Sequence, residues 1–452
     1  MSQDLSLLLD FYELTMAQGY YFNRRRVFAT FDLFVRQMPK NRAYLVACGL
    51  EDVLGYLKGL RFSDEDINYL RSKKIFRAEF LKYLEHFRFK GDVWAMPEGT
   101  VFFANEPIIR VTASILEAQI VESFLLNTVN LQTMIASKAS RVVNIAKGKG
   151  LYDFSLRRTH GSEAGLKVAR ASYVAGFSGT SNVLAGKLYK IPVAGTMAHS
   201  FVMTFKRELD AFLAYSRNFP DKAVLLVDTY DTKKGIKNAV AVGLYLKEKG
   251  HRLAGIRLDS GDIASLSKFA RKVLDRAGLR YVKIFASGNL DEFKIKSLLA
   301  RGACVDNFGV GTNMGVSIDC PCLDVIYKLS EVSDESGKFN PVMKLSKAKA
   351  TYPGRKQVFR FCDNKGKFLK DVLGLENERM PGKKLLLKVM EKGKLVYRQS
   401  SLEDIRKRSR NEVARLPGQL KKVRVKYKYP VIVSAGLWDL RRSLSRQLEK
   451  RQ

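Results

Sequence analysis

A chain of 452 residues, 46% of them hydrophobic, can bury a sizeable core and form two or three domains, which excludes a disordered protein. No apolar run approaches a membrane span, the opening MSQDLSLLLD lacks the basic region of a signal peptide, and five scattered cysteines suit a reducing cytoplasm better than a disulfide framework. The formal net charge is +34, and from Glu331 onward there are 32 Lys+Arg against 13 Asp+Glu, an excess that attracts RNA, phosphorylated small molecules or anionic surfaces.

Residues 5–22 space their apolar side chains for an amphipathic helix, with Leu8, Phe11, Tyr12 and Thr15 near one another. Val27–Val35 alternates like a strand, and helical patterns follow over Ala47–Leu60 and Asp64–Phe87. Gly91–Val111 reads as short strands broken at Pro97-Glu98-Gly99 and Asn105-Glu106-Pro107, and Leu116–Ala146 as a long helix with one interruption. The opening 112 residues thus predict a mixed α/β domain.

From Leu151 the pattern changes. Seven short apolar runs follow: Leu151–Ser155, Val174–Phe177, Pro192–Ala194, Val224–Val227, Gly255–Leu258, Val282–Phe285 and Val305–Phe308. Helical patterns over Lys234–Lys249, Ile263–Ala277 and Asp291–Arg301 separate the later ones. Repeated strand–loop–helix units imply a parallel sheet, and seven in a row favour a complete or nearly complete β/α barrel over residues 113–330. Residues 331–452 predict a basic, β-containing segment with short alternating pieces (VFRFC, LLLKVM, VRVKYKYP) and a closing helix, Leu437–Glu449.

A parallel sheet gathers its chemistry beyond the carboxyl ends of its strands. That places Arg157-Arg158, Ser178–Ser181, His199, Asp228, Asp259, Ser287 and Gly309–Thr312 around one mouth. His199, in IPVAGTMAHSFVM, can serve as base, acid or nucleophile, although a lone histidine is more often merely satisfied by a neighbouring carbonyl. In Phe308-Gly309-Val310-Gly311-Thr312, two glycines let backbone N–H groups converge on a phosphate and Thr312 adds a hydroxyl; ordinary tight turns use glycine too. Asp228 and Asp259 suit Mg²⁺ held through a phosphorylated substrate, or ribose hydroxyls, whereas Asp231 and Asp262 read as helix caps. An inward Arg257 needs an anion, supplied by substrate or by Asp259. Cys320-Pro321-Cys322 has no second cysteine pair, so no zinc site is predicted.

Together these stretches resemble the nicotinate phosphoribosyltransferases. The likeness runs through DFYELTMAQGYY (10–21), RRTHG (157–161), FSGTSNVLAGKL (177–188), GTMAHSF (195–201), DTYD (228–231), GIRLDSGD (255–262), FGVGTN (308–313) and YPGRKQVFR (352–360). The resemblance implies a cytoplasmic, ATP-dependent enzyme of NAD salvage. It would join nicotinate to 5-phosphoribosyl 1-diphosphate, giving nicotinate mononucleotide and diphosphate with coupled ATP hydrolysis and Mg²⁺ as the accompanying cation. It implies an irregular, incomplete α/β barrel flanked by a domain built from both chain ends. It implies that His199 is phosphorylated by ATP, that Tyr12 stacks on the pyridine ring in the other subunit of a homodimer, that Thr196 and Arg257 contact nicotinate, and that Thr312 holds the phosphoribosyl phosphate. Arg157, Ser200, Ser287, Gly309 and Gly311 complete the expected substrate site, with His199, Asp228 and Asp259 as catalytic groups and no protein-only metal site.

Two rivals remain. A nicotinamide-using relative would carry Asp at the position of Ser181 in the GTxxVxAG motif, so serine here favours the acid substrate. An RNA-binding protein would use the basic C-terminal region, where Tyr427 and Tyr429 interleave with cations in VRVKYKYP; a basic edge strand explains the same pattern, and nucleic acid is not the expected partner.

Overall fold

A computed structural model describes residues 5–345 and 351–450. The first four residues of MSQDLSLLLD lie outside that range. The chain divides into two compact units, one from residues up to Met134 with those from Cys322 on, the other Ile135–Pro321.

The first unit joins both ends of the chain through strand pairing. Phe28–Val35 runs antiparallel to Val325–Ser333 on one side and Pro107–Ser114 on the other, in the middle of a seven-stranded sheet. A four-stranded sheet of the C-terminal segment pairs Lys356–Cys362 with Phe368–Leu375, and the latter with the edge strand Val431–Val433. Asp64–Phe87 splits into two helices, Asp64–Ser72 and Ala78–Glu85. The N-terminal helix occupies Phe11–Asn23, and it packs differently from its pattern. Glu13, Leu14 and Ala17 are buried, while Leu8, Phe11 and Tyr12 stay 52%, 58% and 45% exposed.

The second unit holds six parallel strands: β1 (Gly150–Asp153), β2 (Gly179–Thr180), β3 (Val224–Leu226), β4 (Gly255–Leu258), β5 (Lys283–Ala286) and β6 (Asn307–Val310). Their order is β2-β1-β6-β5-β4-β3, all parallel, so the sheet is an open row of an incomplete barrel and β2 and β3 are its ends. Two expected strands are corrected. Val174–Phe177 mostly closes the helix Ser162–Ala175, whose Val168, Ala171, Val174 and Ala175 are buried at helical spacing; Gly176 then ends it in the left-handed region. Pro192–Ala194 contributes a single bridge, Val193 to Thr180.

The helices between β3 and β6 follow their caps. Asp231 Oδ1 accepts from Lys234 N (2.7 Å) to start Thr232–Glu248, and Asp291 Oδ1 accepts from Lys294 N (2.8 Å) to start Glu292–Ala300. Asp262 stands at the N-cap of Ile263–Arg276. It accepts from Ser265 Oγ (2.7 Å) and pairs with Arg301 (2.7 Å). Ile263, Ala264, Ser267, Ala270 and Leu274 form the buried stripe of Ile263–Arg276. Among the described residues no helix is long and apolar enough to cross a membrane.

Candidate active site

Three neighbouring strands of the second unit end in polar residues that bond to one another. Arg257, in β4, is the hub. Its Nε donates to Ser287 Oγ (2.7 Å) beyond β5, its Nη1 to Thr196 Oγ1 (2.8 Å), and its Nη2 to Asp259 Oδ1 (2.6 Å). Ser287 Oγ also donates to Asp259 Oδ1. A guanidinium has five N–H donors, so three engaged leave two, one on each Nη. The sequence left open whether Arg257 pairs with Asp259 or with a substrate anion; it pairs with Asp259 and keeps donors in reserve.

Asp259 is half-buried. Burial pushes its carboxyl up, but the Ser287 hydrogen bond, Arg257 and the nearby His199 outweigh this and hold it below the ordinary range. Asp228, which follows β3, is more enclosed. Its Oδ2 accepts from Asp259 N (2.8 Å) and Ser260 Oγ (2.7 Å), while Oδ1 is buried with no hydrogen-bond partner. Gly288 permits this approach: its φ is +95°, and a Cβ there would lie 2.1 Å from Asp259 O.

His199 opens a short helix, His199–Met203, and its Nδ1 lies 3.1 Å from Thr229 Oγ1. Neither Thr229 nor Ser260 was singled out from sequence, although both sit inside the motifs DTYD and GIRLDSGD.

Phe154 was missed as well. Its ring centre is 5.7 Å from the Arg257 guanidinium carbon, and its N donates to Val310 O (2.9 Å). A Cβ on Gly309 would stand 2.5 Å from that ring, and one on Gly311 would stand 3.2 Å from Phe154 O. Both glycines therefore make room for Phe154. The signal was available as an aromatic one residue past a strand. Below it, Asp153 accepts from Thr180 Oγ1 (2.8 Å) and Ser155 N (2.9 Å), tying β1 to β2, and burial raises its carboxyl above the ordinary range.

The remaining expected residues are more dispersed. Thr312 begins the short turn Thr312–Gly315 after β6, and Asn313 Nδ2 donates to Asn289 O (3.1 Å), joining this loop to the one after β5. Arg157 and Ser200 are exposed. Ser181 donates its backbone N–H to Asp153 O (2.8 Å). Tyr12 belongs to the first unit, where burial and then Glu122 raise its phenol above the usual value. Among the described residues no group of three or more His, Cys, Asp or Glu is arranged to hold a metal ion.

Comparison with known proteins gives consistent relatives. Family descriptions match along the chain: the nicotinate phosphoribosyltransferase N-terminal domain over residues 7–130, the nicotinate phosphoribosyltransferase family over 150–376, and the C-terminal domain over 381–441. A nicotinate phosphoribosyltransferase of Mycobacterium tuberculosis is 47% identical over 433 residues, covering 95% of this chain and 91% of that protein. One from Bacillus subtilis is 38% identical, covering 96% and 94%. Among solved structures, human nicotinic acid phosphoribosyltransferase superposes with a TM-score of 0.86 at 31% identity, covering 96% of this chain and 99% of that one.

Proposed function

The chain belongs to the nicotinate phosphoribosyltransferase family, and on that premise we propose that the cluster around Arg257 joins nicotinate to 5-phosphoribosyl 1-diphosphate. The observation that carries this reading is the pair of N–H donors that Arg257 retains after bonding Ser287, Thr196 and Asp259. A carboxylate is the natural acceptor for them. Nicotinate has one and nicotinamide does not, and the comparisons support neither the amide substrate nor nucleic-acid binding as the chain's activity.

With the carboxylate on Arg257 and Thr196, the pyridine ring lies over Phe154, an aromatic face beside the cation. The ring nitrogen attacks the ribose carbon and diphosphate leaves with the bonding pair. No proton moves, so the site needs placement and charge rather than a strong base. Positive charge develops on the ribose as the bond to diphosphate lengthens, and the Asp259 carboxylate, kept ionised by its partners, opposes it. The loop Gly309–Thr312 receives the ribose phosphate, helped by Arg157 and Ser200 at the rim.

Mg²⁺ fits this site through Asp228, whose Oδ1 is buried and unpartnered, with Asp259 beside it. A cation held by one or two carboxylates and substrate phosphates needs no cage of three protein ligands. When bound, it supplies charge neutralisation for the departing diphosphate.

ATP enters as co-substrate. An imidazole nitrogen of His199 takes the γ-phosphoryl group, ADP leaves, and water later cleaves the P–N bond. Thr229, at Nδ1, fixes the ring for that transfer. A homodimer completes the site, with Tyr12 covering the neighbour's pyridine; the exposed apolar side chains of Phe11 and Tyr12, with Leu8 just before the helix, support a partner there. The five scattered cysteines, odd in number, suit a cytoplasmic setting.

Calorimetric titration with nicotinate and nicotinamide tests the reading. Binding of the acid that weakens at least about tenfold in Arg257→Ala supports it; equal affinity for the two ligands in the unaltered protein contradicts it.

A further inference from the structure

The transferase site leaves one feature of the sequence without a role. From Leu416 to Trp438 the chain contains five Lys and Arg and no Asp or Glu. In the structure this stretch connects the turn Gly418–Lys421 to the edge strand Val431–Val433, and it is pinned at two points. Val423 is buried. Tyr429 is buried too, its ring stacked 3.9 Å from Phe103 and its hydroxyl donating to Asp371 Oδ1 (3.1 Å). Between the pins, Arg424, Lys426, Tyr427 and Lys428 are exposed, Tyr427 to 43%.

A second basic piece adjoins the first. Asp371 N donates to Pro430 O (3.0 Å), which sets Lys370 beside the end of the stretch. Lys367 and Lys421 both send Nζ to Ala414 O, at 2.8 and 3.5 Å. The crowding is felt: burial and then the Lys367 charge hold the Lys421 ammonium below its ordinary range. Among the described residues, Lys365, Lys370, Lys422, Arg424, Lys426 and Lys428 have no carboxylate partner.

Charges gathered this way repel one another, and among the described residues no salt bridge offsets Lys365, Lys370, Lys422, Arg424, Lys426 or Lys428. Protection of an exposed sheet edge does not account for them, because the edge strand itself, Val431-Ile432-Val433, carries no charge. An anionic membrane fits less well, since the exposed residues between Val423 and Tyr429 lie in no helix with an apolar face to lay into lipid. A phosphodiester chain fits both components, with phosphates on the cations and a base on Tyr427.

We propose that the strip formed by Arg424, Lys426, Tyr427 and Lys428, with Lys367, Lys370 and Lys421 beside it, binds single-stranded RNA without sequence preference. This surface is separate from the transferase chemistry and does not depend on that reading.

Fluorescence anisotropy of the full chain with a mixed-sequence 20-nucleotide RNA tests it. Release of counterions from three phosphates weakens binding roughly twentyfold between 50 and 200 mM salt. The variant Arg424→Glu/Lys426→Glu/Lys428→Glu should lose binding at least tenfold, with melting temperature and nicotinate turnover unchanged. Tyr427→Ala should weaken binding about fivefold at both salt concentrations, because stacking is not a counterion effect. Wild-type affinity in the triple variant would overturn the proposal. So would binding to phosphatidylglycerol vesicles with none to RNA.

Discussion

The imidazole Nδ1 of His199 lies 3.1 Å from the hydroxyl of Thr229, which belongs to the loop after β3, while His199 starts its own short helix. One hydrogen bond thus joins the proposed phosphoryl acceptor to the same loop that carries Asp228. Replacing Thr229 by Val keeps the volume and removes the bond. ATP stimulation of turnover should fall at least tenfold, with the fold intact, and Thr229→Ser should restore it. His199→Ala should abolish the stimulation. A His199→Ala protein that still hydrolyses ATP and responds to it like wild type would give His199 a different role.

Arg257→Ala removes a charge-assisted hydrogen bond to substrate, a loss of about 1.5–3 kcal/mol, or roughly tenfold to a hundredfold in nicotinate affinity. Affinity for 5-phosphoribosyl 1-diphosphate should change much less. Comparable losses for both ligands would make Arg257 a structural cation for Asp259, with which it pairs at 2.6 Å.

Much of this cluster was legible beforehand. Asp228, Asp259 and Ser287 follow compact apolar runs and Arg257 lies within one, and a parallel sheet brings such positions together whatever its exact closure. Other parts were not legible for physical reasons. Val174–Phe177 is a continuous apolar run, which a buried helix and a buried strand produce alike. Leu402–Arg415 is a helix of which only Ile405, Ser409 and Glu412 are buried, so no apolar stripe announces it. Tyr427 and Tyr429 are equivalent in sequence, yet one is exposed and the other is stacked on Phe103, a residue over three hundred positions away.

The N-terminal helix should respond to pH through Glu13. This carboxyl is fully buried, with Oε1 accepting from Ser123 N (2.9 Å) and Oγ (2.6 Å). Burial pushes it up to about 8 from an ordinary 4.5; Ser123 opposes this, and Glu122 and Asp10 reinforce it. The folded state therefore holds the proton more tightly than the unfolded chain. Glu13's contribution to stability is fully present below about 4.5 and is lost as pH rises through about 8. Melting temperatures from pH 5 to 9 should fall more steeply for wild type than for Glu13→Gln, which cannot ionise. Parallel profiles would show that Glu13 titrates normally.

Tyr12 allows a test of shared sites. Chains with Tyr12→Ala, assayed at nicotinate well below the wild-type KM where their turnover is low, and chains with His199→Ala, unresponsive to ATP, are mixed and allowed to exchange. If Tyr12 serves the neighbour's site, each heterodimer has one site with both defects and one with neither, and about a quarter of full activity returns. The Tyr12→Ala chain alone should show a raised KM for nicotinate, since ring stacking is worth about 0.5–1.5 kcal/mol beyond area burial. No recovery after exchange verified by mass would place Tyr12 in its own subunit's site or outside any site.

The most direct measurement is turnover by the purified protein of nicotinate and of nicotinamide, each with 5-phosphoribosyl 1-diphosphate and Mg²⁺, with and without ATP. Formation of nicotinate mononucleotide, stimulated by ATP and accompanied by ADP, with no product from nicotinamide, is the predicted result. Turnover of nicotinamide at a rate equal to or above that of nicotinate would contradict the assignment of Arg257 to a substrate carboxylate.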